Sequence, residues 1–153
     1  MHPYTEAALR RLGASADGFA SEPLDAEHVE WADLILTMTA DHRDEVLAVS
    51  PRGMRKVFTL GEAAALSGDL PATIASDDLA GLLGQARGRR RGALHADDVT
   101  DPIEGPAGLH EEVVDEIARH LSTLLDALAV RMPRESDTVQ MVRLPPVPPA
   151  RRA

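Results

Sequence analysis

The sequence predicts an α/β domain built on a small parallel sheet. Two observations carry that expectation. The short apolar runs Leu34-Ile35-Leu36 and Lys56-Val57-Phe58-Thr59-Leu60 lack the alternation of a half-solvated strand, so they read as strands covered on both faces. Segments of helical periodicity stand before, between and after them, which is the strand–helix alternation of a parallel sheet. With 153 residues, 44% of them hydrophobic, the chain can bury a core, and bulk disorder is excluded.

The elements follow in order. Pro3 suits the first turn of a helix and Gly13 its stop, with Ala8, Leu9 and Leu12 as the apolar stripe. Asp25 is an N-cap for a short helix carrying Val29 and Trp31. After the first strand, near 33–38, Thr39 caps a helix over about 41–49, with Val46, Leu47 and Val49 inward and Pro51 at its end. Thr59 and Glu62 have capping-box spacing for the helix after the second strand. Ser76, Asp77 and Asp78 open a further helix that places Leu79, Leu82, Leu83 and Ala86 on one side. Arg87 to Gly92 reads as a solvated, glycine-punctuated loop.

Asp97 to Gly108 holds two prolines and two glycines and cannot be a long helix. The strongest helical pattern runs over about 109–130, where Val113, Ile117, Leu121, Leu124 and Leu128 recur at helical spacing. From Met132 the pattern collapses. Pro145-Pro146-Val147-Pro148-Pro149 favours polyproline II, so the expected organisation is a domain over 1–131 and a disordered tail over 132–153.

Composition narrows the function classes. Residues 1–130 carry 11 basic and 23 acidic side chains, and an acidic body repels nucleic-acid backbones. Of the 16 basic residues 15 are arginine, a bias in keeping with a GC-rich bacterial gene. No apolar run approaches the roughly 18 residues of a membrane span. The first residues, Met1 to Glu6, lack the pattern of a signal peptide, which leaves the cytoplasm as the expected compartment. The chain has no cysteine, so it holds no disulfide, thiolate metal site or thiol nucleophile of its own. The acidic group Asp97, Asp98, Asp101 and Glu104 fits no EF-hand spacing. His110-Glu111 begins like a zinc-protease motif, but position 114 is valine, and the six histidines show no ligand spacing. No cofactor or metal is expected.

Two strands are few for a parallel sheet set among about four helices. The motifs suggest what is missing. His2-Pro3, Ala32-Asp33-Leu34-Ile35-Leu36-Thr37-Met38-Thr39 with His42-Arg43, Val57-Phe58-Thr59-Leu60, and Asp98-Val99-Thr100-Asp101-Pro102 before a long helix occur in one order over residues 1–130. In that order and with those gaps the sequence resembles the low molecular weight protein-tyrosine phosphatases. The resemblance implies a three-layer α/β/α domain that lacks its first strand–loop–helix unit, where the family places a cysteine, five residues and an arginine. In such a loop backbone N–H groups cradle phosphate while the cysteine attacks phosphorus.

The resemblance also assigns Asp101 as the general acid that protonates the leaving oxygen, with Pro102 stiffening its loop. An oxygen of pKa about 10 leaves more readily with a positioned proton donor. Taken alone, an aspartate before proline is a turn residue. Asp98 either holds the loop or is solvated, and Ile103 stands where many members have an aromatic. His42-Arg43 reads as a solvated pair in a helix first turn.

The expected substrate is a phosphotyrosine protein or a small aryl phosphate, hydrolysed once an upstream loop is present. As written, the chain is expected to be inactive. Two alternatives remain: a degenerate, non-catalytic binding or regulatory module, and a truncated arsenate reductase of the same fold.

Overall fold

The computed structural model describes residues 1–70, 78–90 and 98–129, with side chains to 127. Helix α1 spans Pro3–Arg11, α2 Ala26–Trp31, strand β1 Ile35–Thr37, and α3 Ala40–Val49. A 3-10 turn, Pro51–Arg55, leads into β2, Val57–Thr59, and directly on to α4, Leu60–Ser67. Helix α5 covers Leu79–Arg89 and α6 Ala107–Ala129. The expected domain limit at 131 and the tail lie outside the described residues.

Capping explains most helix starts. The side chains of Asp25, Thr39, Thr59 and Asp78 accept hydrogen bonds from the backbone N–H groups of His28, His42, Glu62 and Gly81. Gly13 follows α1 at φ +79°, a left-handed position that glycine takes without strain.

Among the described residues β1 and β2 form a two-stranded parallel sheet, with Ile35 opposite Val57, Leu36 opposite Phe58 and Thr37 opposite Thr59. Side-chain alternation sends the strands' residues to two faces. Ile35 and Val57 meet Val29 of α2 and Val46 and Leu47 of α3. Leu36 and Phe58 meet Ala63 and Leu66 of α4, Leu83 and Ala86 of α5, and Leu124 of α6. This is the three-layer arrangement expected, with helices covering both faces. Phe58 and Leu83 are fully buried, and Phe58→Ala costs roughly 3–5 kcal/mol on the scale of aromatic core truncations.

Three expectations are corrected. Arg87 to Gly92 is not a loop throughout, because α5 continues to Arg89. Arg87 turns inward: its guanidinium bonds both carboxylate oxygens of Glu62 at 2.6 Å, donates to the Val57 carbonyl at 3.1 Å, and lies 3.9 Å from the centre of the Phe58 ring. Arg90 also pairs, with Asp69. Second, Val49 is exposed rather than inward, since the short helix α3 has one buried position, Val46. Third, Glu62 forms only half of a capping box. Its N–H bonds Thr59 Oγ1, but its carboxylate is taken by Arg87.

Glu62 is buried, so removing its partner leaves a charge in the core. Arg87→Met is expected to cost roughly 3 kcal/mol in urea unfolding, and Glu62→Met combined with Arg87→Met less than that single change. A larger loss for the double variant would contradict this. Asp69 sits below the usual carboxylate range because the Arg90 guanidinium bonds it. A depressed value stabilises the fold above the ordinary carboxylate pKa of about 4 and stops doing so as pH falls through it. The stability gap between wild type and Asp69→Asn is therefore expected to close on acidification, measured as denaturation midpoints from pH 6 to pH 3.

Candidate functional site

The site forms where β1 ends. Thr37 is buried and its hydroxyl donates to the Thr39 carbonyl at 3.0 Å, which shapes the turn into α3. The segment around Val99 returns to this point. Val99 is buried, and its N–H donates to the Met38 carbonyl at 2.9 Å. One residue earlier, Asp98 Oδ1 accepts from Ala40 N–H at 2.9 Å, at the start of α3. Of the two readings of Asp98, the structure therefore supports the one in which it holds the loop. Its carboxylate also lies at the favourable end of the α3 dipole.

Asp101 follows on this anchored segment. It is exposed, and Oδ1 accepts from Ile103 N–H at 3.0 Å, an Asx turn that leaves Oδ2 without a protein partner among the described residues. Gly105 N–H closes the next turn on the Pro102 carbonyl at 2.8 Å. A Cβ on Gly105 would lie 2.5 Å from Leu109 Cδ2 and 3.1 Å from that carbonyl oxygen, so a larger residue there has to displace the Leu109 side chain at the start of α6.

Asp101 borders a cavity of about 350 Å³ whose other walls come from α1, α3 and α6. Met38, Val99, Ile103, Val113 and Ile117 supply apolar surface, and His2, Thr5, His42 and His110 supply polar atoms. His110 is fully buried in the first turns of α6. Its Nδ1 lies 2.8 Å from Thr5 Oγ1, and its ring stacks on His2 at 4.4 Å between centroids and 13° between planes. Tyr4 meets His110 edge-on at 5.6 Å. His2 Nδ1 in turn caps α1 by accepting from Tyr4 N–H at 3.3 Å. His42 is exposed, as a solvated helix pair requires, yet it lines this cavity too.

The sequence reading singled out Asp101 and Asp98 and missed the roles of Thr5 and His110. A signal was available for His110: it shares the 110, 113, 114, 117 spacing of a buried helix face with Val113, Val114 and Ile117. Among the described residues no group of three or more histidine or acidic side chains is placed to hold a metal ion. No described helix is long and apolar enough to cross a membrane.

A parallel sheet covered by helices on both faces, with an anchored Asp-Pro loop at a strand's carboxyl end, defines a three-layer α/β domain. Residues 1–71 match the family model described as low molecular weight phosphotyrosine protein phosphatase. The chain is also 26% identical over 132 residues to a protein-arginine-phosphatase of Geobacillus stearothermophilus, an alignment covering 86% of this chain and 67% of that one. No solved structure matches significantly. Over residues 1–71 the chain is thus similar to the low molecular weight phosphotyrosine phosphatases. The family match ends ahead of the loop that carries Asp101.

Asp98→Ala leaves the Ala40 N–H without its acceptor at a helix start. The expected cost is about 1 kcal/mol, the scale of a lost cap. Hydrogen exchange at Ala40 and Val99 should quicken, while exchange in α5 stays unchanged; equal acceleration in α5 would show a general loosening instead.

Proposed function

We propose that the chain contributes the acid-bearing part of a phosphatase centre, with Asp101 as general acid toward a phosphorylated protein or small aryl phosphate. The observation that carries this is the placement of Asp101: exposed, free at one carboxylate oxygen, at the rim of a cavity, on a loop pinned to both β1 and α3.

In the family reaction a thiolate attacks phosphorus, the bond from phosphorus to the leaving oxygen breaks, and the acid transfers its proton to that oxygen. The same carboxylate then takes a proton from the water that releases phosphate. These 153 residues contain no cysteine, so the nucleophile and the phosphate cradle must come from residues outside them. The name of the relative raises a second leaving group, a guanidine nitrogen in place of a phenolic oxygen. Asp101 serves that bond equally well, because a guanidine also leaves more easily when protonated. The missing cysteine favours a further reading, a non-catalytic module that binds without turnover.

Purified as written, the chain is expected to hydrolyse neither p-nitrophenyl phosphate nor phosphotyrosine or phosphoarginine peptides above background. Activity that follows the protein through repurification would contradict this.

With a Cys-x5-Arg segment restored upstream, Asp101→Asn should lower phosphotyrosine turnover by roughly 100-fold, the scale of a lost general acid. The loss should be smaller for p-nitrophenyl phosphate, whose leaving group needs no proton. Equal losses on both substrates would reject the acid role. A restored chain that stays inert with Asp101 intact would favour the non-catalytic module.

A further inference from the structure

Helix α1 begins unlike the others. Among the described residues α2, α3, α4 and α5 are capped by the side chains of Asp25, Thr39, Thr59 and Asp78, whereas α1 is capped by an imidazole. The Tyr4 N–H donates to His2 Nδ1 at 3.3 Å. A ring nitrogen accepts only when it carries no proton, so this backbone donor fixes the form of His2: Nδ1 bare and the ring hydrogen on Nε2. Hydroxyl caps do not titrate near neutrality, and carboxylate caps lose their charge only well below it. His2 is the cap that a proton can remove at ordinary cellular pH.

The same ring has a second task. His2 is half-buried and stacks on His110 of α6 at 4.4 Å between centroids. His110 is fully buried, and its Nδ1 lies 2.8 Å from Thr5 Oγ1 of α1. His2 and Thr5 thus attach the first turn of α1 to the first turns of α6, and both line the cavity beside Asp101.

Protonation of His2 works against this arrangement in three ways. Nδ1 becomes a donor that faces the Tyr4 N–H. The new positive charge lies at the positive end of the α1 dipole. Partial burial of the ring removes water that would otherwise solvate that charge. The neighbouring groups do little to relieve it. His110 from α6, His42 from α3 across the cavity and the Met1 amine on its own segment are basic, and Tyr4 carries no charge at neutral pH. The anions are Asp101, exposed at the cavity rim, and Glu6, which is bonded to Arg10.

We propose that His2 is a proton-operated latch between α1 and α6. Neutral, it caps α1 and lies on His110; protonated, it releases the first turn of α1 and so loosens the Thr5 side of the cavity. The latch belongs to α1 and α6 and stands whether or not Asp101 acts as a general acid.

The test is an NMR pH titration of the 13C,15N-labelled chain from about pH 8 to about pH 5, the range in which imidazoles titrate. The amides to watch are Tyr4, bonded to His2 Nδ1, and Glu6, bonded to the His2 carbonyl in the same turn. As the His2 ring takes its proton, their protection from hydrogen exchange, corrected for the intrinsic rate, should fall roughly fivefold, the scale of a lost helix cap. Protection in α5, which contains no histidine, should stay level. His2→Asn keeps an acceptor at the cap and does not titrate, so in that variant the fall should vanish.

Protection that stays level through the His2 titration would overturn the proposal, as would the same fall in His2→Asn. So would a fall that follows protonation of the His110 ring instead of the His2 ring. The wild-type titration decides the matter even if His2→Asn fails to fold, because ring and amide signals are read on one chain.

Discussion

Two hydrogen bonds hold the site to the sheet: Val99 N–H to the Met38 carbonyl, and Ala40 N–H to the Asp98 carboxylate. They join segments some 58 residues apart in sequence. Closing such a loop costs conformational entropy that grows only slowly with length, so a few well-placed contacts can hold it. Burial of Val99 adds an apolar contact at the same place. Everything downstream inherits this position. The Asx turn at Asp101, the turn closed by Gly105 and the start of α6 follow within nine residues, and α6 then runs back to set Leu124 against the Phe58 cluster. The loop is therefore fixed at one end by the tip of β1 and at the other by a helix packed into the core.

The sheet itself is small, and two paired strands alone are marginal in water. Its stability comes from the helices on its faces. Phe58 shows how closely polar and apolar contributions are joined. Its ring lies in the largest buried cluster while the Arg87 guanidinium rests on it, and Arg87 in turn neutralises the buried Glu62 carboxylate. A guanidinium that stacks on an aromatic and grips a carboxylate with two bonds uses both of its recognition modes at once. The pair ties α5 to the first turn of α4 and, through the Val57 carbonyl, to β2.

Much of this was legible in the sequence where a local rule has a local cause. Asp25, Thr39 and Thr59 were readable as caps because a cap depends on side chain and backbone a few residues apart. The two strands were readable because residues buried on both faces leave an unbroken apolar run. The roles of Arg87 and His110 were not, because each depends on a partner distant in sequence, Glu62 in one case and Thr5 in the other. A glycine-flanked arginine cluster looks like a solvated loop until the carboxylate it meets is known. Asp101 could be singled out only through family resemblance, since an aspartate before proline satisfies a turn equally well.

The anchoring contacts also bear on how the loop meets a ligand. Every bond that fixes it is internal: Asp98 to α3, Val99 to the end of β1, Asp101 to its own backbone, Gly105 to Pro102. No phosphate is needed to shape it. A carboxylate held in advance spends little of a ligand's binding energy on being ordered, which is how prearranged groups gain their effect. The same geometry limits what the described residues can do alone. His110 Nε2 is a buried ring nitrogen without a partner among the described residues, and a single neutral ring does not stabilise a developing phosphoryl charge. Proton delivery and charge stabilisation are thus separable here. In the proposed reading of Asp101 these residues supply the first, and a thiolate-bearing cradle outside them supplies the second.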